Sequence, residues 1–112
     1  MMSAPILREI VRQHAEMAAF LWAVYDRHLL HPEENPELDD VRIARLIERL
    51  EAHLDGLRVA GQDGKDIAQE LFREYLEAGE LFVVKALSSK TAIRIRDLDI
   101  DKVRASLDAG LR

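Results

Sequence analysis

Four histidines are the side chains best suited to chemistry in this sequence: His14, His28, His31 and His53. An imidazole changes its charge near neutral pH and is a frequent ligand of transition metals. Di-iron helical bundles place Glu-x-x-His on one helical face, a spacing that none of the four histidines has. Hemerythrin-like proteins need His-x-x-x-Glu and a second helix with paired histidines, but residues 60–112 contain no histidine. The sequence therefore predicts neither of these metal centres.

Two of the histidines, His14 and His28, fall on the apolar stripe of the first predicted helix. The simplest interpretation is that each imidazole is partly buried and hydrogen bonded to a neighbouring helix. His28 and His31 are one turn apart near the end of that helix, where the helix dipole favours cationic side chains. One alternative stays open, a helical bundle that binds a metal ion or a small ligand through His14, His28 and His53.

Other catalytic or cation-binding patterns are incomplete. The acidic stretch "DLDID" at residues 97–101 is spaced like the start of a calcium loop, but Lys102 and Asp108 stand where such a loop needs glycine and glutamate. No serine lies in a nucleophile elbow, and the glycines do not form a phosphate-binding loop. We therefore predict that the protein is not an enzyme and uses no cofactor or metal ion.

The stretch "HLDGLRVAG", residues 53–61, contains a glycine inside a helical pattern. Glycine in a helix interior costs about 1 kcal/mol relative to alanine. Leu50, Leu54 and Leu57 surround Gly56 on an apolar seam. We therefore interpret Gly56 as the point where this helix crosses closely against the first or the third helix.

Composition narrows the class of protein. The chain has 112 residues, of which 48% are hydrophobic and 33% charged, as expected for one globular domain covering residues 1–112. A net charge of −5 argues against nucleic acid as a partner, because nucleic-acid binding needs a concentrated basic face. Without cysteine there is no disulfide, and the longest apolar run, "MAAFLWAVY", is far shorter than a membrane span. We expect a cytoplasmic protein that is not embedded in a membrane.

Hydrophobic spacing predicts an all-α fold of four to five helices. The first helix is apolar nearly all round between Met17 and Tyr25, so we expect it to be the central helix of an antiparallel bundle. Asp39 or Asp40 is the expected N-cap of the second helix and Gly61 its C-cap. Asp63 is a candidate N-cap of the third helix, and Gly79 its expected end. The predicted helices span about residues 5–30, 40–60, 65–78, 80–89 and 99–109.

Residues 45–61, "RLIERLEAHLDGLRVAG", resemble the signature of an uncharacterised bacterial family of HEAT-repeat-like helical proteins. The opening stretch "PILREIVRQHAEMAAFLW", residues 5–22, is similar to the start of that family, and the resemblance covers roughly residues 4–88. It implies that the C-terminal part begins a helical-repeat array. It also implies a bacterial source, a protein-binding role and a loose association with type VI secretion loci. Family members continue into many repeats, so we expect a short relative or part of a longer protein.

These observations favour a non-enzymatic protein-interaction module, such as an adaptor, chaperone or accessory protein of a bacterial secretion system. Helical repeats bury their apolar faces only by stacking on neighbours, so a short array leaves apolar surface for another protein or a second copy, as in a homodimer. An immunity-type inhibitor of a basic toxin is a further possibility of the same class. The expected contact residues, whose alternative role is core packing, are Trp22, Tyr25, Phe82 and Val83.

Overall fold

The computed structural model describes residues 5–88, with side chains from Leu7 onward. Within that range the fold is all-α, as predicted, with a short 3₁₀ helix at Pro32–Glu34. The predicted helix at 99–109 and the acidic stretch at 97–101 lie outside the described residues. None of the described helices is both long and apolar enough to cross a membrane. The four α-helices are α1 (Pro5–Leu30), α2 (Asp40–Val59), α3 (Gln62–Tyr75) and α4 (Ala78–Ser88).

The first helix, α1, packs against α2, α3 and α4. Small side chains make this possible, because Ala15, Ala18 and Ala19 are buried and let neighbouring helices approach the backbone of α1. The opposing side of the core consists of leucines of α2, an apolar stripe on α3 and the buried apolar side chains of α4. The predicted central position of α1 therefore follows from an alanine-lined helix covered on more than one side.

Pairs of contacting residues show how the helices run. His14 of α1 contacts α2 at His53, whereas Val24 lines the same cavity as Leu38, which precedes α2. The two helices are therefore antiparallel. On the other side of α1, Arg8 pairs with Glu70 of α3, and Arg12 with Glu74 at 2.8 Å. These contacts advance in chain order on both helices, so α3 runs in the same direction as α1. The ion pairs are exposed and contribute little energy, but they record the register.

The first two helices begin and end close to the predicted residues. Proline disfavours helical backbone at the residue before it, and α1 ends at Leu30, just ahead of His31 and Pro32. Asp39 is the N-cap of α2, and its carboxylate accepts a hydrogen bond from the backbone N–H of Arg42 at 2.9 Å. Of the two predicted N-caps, Asp39 is therefore the observed one, and Asp40 lies in the first turn of α2.

The boundaries around α3 differ from the predicted ones. Gly61, at φ 63°, follows the end of α2 and is also the N-cap of α3, so α3 begins at Gln62 and Asp63 lies in its first turn. At the other end α3 stops at Tyr75, because Leu76 adopts a left-handed conformation with φ 52°. The prediction that Gly79 ends this helix is wrong, since Gly79 is a buried residue of α4.

Gly79 is needed for packing. A β-carbon built at this position would lie 2.5 Å from the backbone carbonyl oxygen of Ala19 in α1. Gly64 plays the same role in α3, where a β-carbon would collide with the carbonyl oxygen of Leu57 in α2. Glycine at these two positions therefore sets the separations between α4 and α1 and between α3 and α2.

Candidate functional site

His14 of α1 and His53 of α2 form a direct contact between the two helices. Their Nδ1 atoms are 2.9 Å apart, the ring centroids are 5.2 Å apart, and the ring planes are tilted by 52°. At this distance one Nδ1–H donates a hydrogen bond to the lone pair of the other Nδ1. The prediction that His14 is a partly buried imidazole bonded to a neighbouring helix is thereby confirmed, and its partner is a second histidine.

Gly56 of α2 lies against the ring of His14 next to His53. It follows His53 by three residues and therefore lies on nearly the same side of α2. A β-carbon at Gly56 would lie 2.9 Å from both Cδ2 and Nε2 of His14. The ring of His14 thus rests against the backbone of α2, which confirms the close crossing predicted at Gly56 and identifies α1 as the helix that is crossed.

The surroundings of the pair oppose a positive charge on His53. Burial lowers the pKa of His53 below its ordinary value, and the nearby His14 and Arg49 lower it further. His53 is therefore neutral at pH 7, in the state that shares a single hydrogen bond with His14. A neutral imidazole bonded to another imidazole holds two helices together without the cost of a buried charge.

The three histidines of the metal-binding alternative are not assembled into one site. His28 follows His14 by fourteen residues of the same helix, which places it about 21 Å away at 1.5 Å per residue. Within residues 5–88, no three or more histidine, aspartate or glutamate side chains are grouped so that they could hold a metal ion. The structure therefore brings together His14 and His53 but not His28.

His28 lies at the other end of α1, beside a cavity of about 280 Å³. Arg27 closes one side by donating two hydrogen bonds to the carboxylate of Glu34, at 2.8 and 3.2 Å. His28 Nδ1 is buried and has no hydrogen-bond partner within residues 5–88. The cavity mixes apolar and polar side chains, namely Val24, Arg27, His28, His31, Glu34, Asn35 and Leu38.

Three of the four predicted contact residues belong to the core. Trp22 and Phe82 stack with ring centroids 5.2 Å apart and planes 16° from parallel, and both are buried, as is Val83. Tyr25 is partly buried against the same core. These positions match core packing, the alternative role for the four residues, and their contact with a partner stays a prediction. Trp22 is buried because α4 covers the face of α1 that carries it.

A different set of apolar side chains is exposed, and the sequence pattern indicates only one of its members. Leu7 and Ile10 of α1 are 48% and 45% exposed, and Val59 at the end of α2 is 89% exposed. Ile10 precedes His14 by one turn, and Val59 follows Gly56 by three residues. Because the two helices are antiparallel, both residues lie just beyond the histidine pair, at the same end. We call Leu7, Ile10 and Val59 the apolar edge.

The sequence carried one usable signal for the apolar edge. The seam of α2 comprises Ile43, Leu46, Ile47, Leu50, Leu54 and Leu57, and Val59 does not fall on it. An apolar residue off the seam of an amphipathic helix points to solvent. Leu7 and Ile10, in contrast, continue the apolar stripe of α1, and only the three-dimensional arrangement shows them exposed.

Comparison with models of known protein families, with curated proteins and with solved structures finds no match for this chain. The resemblance of residues 45–61 to HEAT-repeat-like proteins therefore stays a prediction.

Proposed function

We propose that this chain is a non-enzymatic interaction module that binds a protein surface through the apolar edge. The observation that carries the proposal is the exposure of Val59, which leaves 89% of a branched apolar side chain in contact with water at the same end of the helix pair as Ile10. Burying such a side chain at an interface contributes roughly 1.5–3 kcal/mol. The bound surface belongs either to a second copy of the chain or to a different protein.

The histidine pair supports a structural role over a catalytic one. His14 and His53 are in direct contact, and the Nδ1 atom of each ring is hydrogen bonded to that of the other. The remaining Nε2 of His14 faces the backbone at Gly56. A general base must reach the proton that it removes from a substrate, and His14 is turned toward α2 instead.

The resemblance of residues 45–61 to HEAT-repeat-like proteins suggests a cellular role for the module. On that sequence resemblance we propose a cytoplasmic adaptor, chaperone or accessory protein of a bacterial secretion system. The acidic net charge of −5 suits a partner with a basic surface. An immunity-type inhibitor would use the same chemistry, and identification of the captured partner distinguishes the two roles.

Substitutions on the apolar edge test the proposal. Ile10→Gln and Val59→Gln should abolish self-association in sedimentation measurements, or capture of the partner from a bacterial lysate. Val41→Gln is the matched control, because Val41 is 61% exposed on the same helix as Val59 but near its opposite end. Association that survives both edge substitutions, or a chain that is monomeric and captures the same proteins with and without them, would overturn the proposal.

A second candidate function is small-ligand binding, and the cavity beside His28 is the observation that favours it. Ligand pockets usually enclose about 300–1,000 Å³, so this cavity suits only a small molecule. Elemental analysis and native mass spectrometry of the purified chain test this candidate. A stoichiometric metal ion or small molecule that His28→Ala releases would support it over the interaction module.

A further inference from the structure

We propose that the contact between His14 and His53 is an acid-sensitive link between α1 and α2, which tolerates one added proton and separates when both rings are protonated. The inference rests on the position of the two rings and does not depend on the proposed function. It assigns to the pair a regulatory role that a permanent apolar contact would not have.

The number of protons that the two imidazoles bind decides whether the hydrogen bond between them is kept. In the neutral pair one Nδ1 carries hydrogen and the other presents its lone pair across 2.9 Å. A first added proton can be placed on Nε2 of the donating ring, which strengthens the shared hydrogen bond because the donor is now charged. A second added proton puts hydrogen on both Nδ1 atoms. Two N–H groups and two positive charges then face each other, and the attraction becomes repulsion.

The rings have little room to relieve this repulsion in place. The Cδ2–Nε2 edge of His14 lies against Gly56, at a position where a β-carbon would be 2.9 Å away. Both rings are partly buried between the helices. Because His14 cannot withdraw toward α2, we expect the repulsion to separate α1 and α2 locally, at the end where Ile10 and Val59 lie.

Among the described residues, the groups that shift the pKa of His53 include no carboxylate. Burial lowers this pKa most, and His14 and the cation Arg49 lower it further. The positions three and four residues from the two histidines that point along the contact are Ile10, Val11, Met17 and Ala18 on α1 and Arg49, Leu50, Gly56 and Leu57 on α2.

The direction of the pH effect follows from the lowered pKa of His53. In the unfolded chain a histidine titrates at a pKa of about 6.5. The folded chain binds that proton only at lower pH, so the unfolded state holds more protons between the pKa of His53 in the unfolded chain and its lowered pKa in the folded chain. The contribution of this site to stability is therefore complete above about pH 6.5 and declines as the pH falls toward the lowered pKa of His53. One such site changes the unfolding equilibrium constant by at most about tenfold per pH unit.

Urea unfolding of the full chain between pH 7.5 and 5 tests the proposal. The unfolding constant of the wild-type chain should rise more steeply with acid than that of His53→Gln or His14→Gln, which remove the pair. His31→Gln is the matched control, because it removes an exposed histidine and should keep the wild-type slope. Equal slopes for the wild type and both pair variants would overturn the proposal.

A second measurement needs no substitution and covers the case of a variant that does not fold. Imidazole NMR signals of the wild-type chain should show two separated titration steps for the pair, as interacting groups do. Amide hydrogen exchange in α1 and α2 near the pair should accelerate with the second step, after correction for the intrinsic effect of pH. Independent titration of both rings, with unchanged protection of these amides, would refute the link.

Discussion

The ring of His14 occupies the space into which a side chain at position 56 would project. Its Cδ2 and Nε2 atoms lie 2.9 Å from the β-carbon position of Gly56. Glycine at 56 and histidine at 14 are therefore matched to each other across the two helices. A substitution at one of these positions therefore raises or lowers the free energy of unfolding depending on which residue stands at the other.

Gly56→Ala should destabilise the wild-type chain by about 1–2 kcal/mol. The methyl group displaces the ring of His14 and weakens its bond to His53, which outweighs the gain of about 1 kcal/mol in helix propensity. In a His14→Ala background the obstruction is gone, and the same substitution should stabilise by about 1 kcal/mol. Urea unfolding of the four proteins measures this coupling, and an effect of equal sign in both backgrounds would contradict it.

Gly79→Ala should destabilise strongly, by more than about 2 kcal/mol, because its methyl group would meet the rigid backbone of α1 at Ala19. Gly61→Ala is the control. Apart from its two chain neighbours, no atom of the described residues lies within 4 Å of a β-carbon at that position. The cost comes only from the backbone at φ 63° and ψ −131°, a conformation that disfavours residues with a β-carbon. Thermal unfolding should rank the two variants in this order. A Gly79→Ala chain as stable as wild type would mean that α4 does not pack closely on α1.

Leu76→Gly should stabilise the chain by about 1 kcal/mol. Leu76 has a left-handed backbone at φ 52°, which costs a residue with a β-carbon about 1–2 kcal/mol, and its side chain is 63% exposed. Leu76→Ala removes the same side chain but retains the β-carbon, so it separates backbone strain from lost contacts. The denaturant midpoint should rise for glycine and not for alanine. A lower midpoint for glycine would show that the side chain of Leu76 contributes more than its exposure suggests.

Glu80→Gln should stabilise the chain at pH 7 but not in acid. Partial burial and, to a lesser degree, the nearby Glu77 raise the pKa of Glu80. The folded state therefore holds this proton more tightly than the unfolded state, and stability falls as the pH rises through the raised pKa. The neutral amide avoids that loss. Unfolding at pH 7 and at pH 4 measures the effect, and an advantage of equal size at both pH values would contradict the assignment to ionisation.

Sequence patterns were sufficient where one residue determines one local feature. Asp39 supplies a carboxylate at the start of α2, Pro32 prevents α1 from continuing, and Gly56 marks a close crossing. Each of these follows from backbone chemistry that acts within a few residues of the chain. The all-α class follows from the same local periodicity, summed over the described helices.

Features that depend on the register between helices could not be predicted in this way. The spacing predicts that His14 lies on the core stripe, but nothing in the sequence selects His53 as its partner. It also predicts a helix end at Gly79, because a glycine that ends a helix and a glycine that allows close packing look alike in sequence. The sequence leaves Trp22 with two roles, partner contact or core packing, because its stacking partner Phe82 belongs to another helix.

The stacking of Trp22 on Phe82 has a consequence for folding during synthesis on the ribosome. The first helix is synthesised early, but the residue that covers its tryptophan is added 60 positions later. Until then the nascent chain carries an uncovered indole, which is a feature that holding chaperones recognise. The newly made chain can therefore bury Trp22 against Phe82 only after α4 has been synthesised.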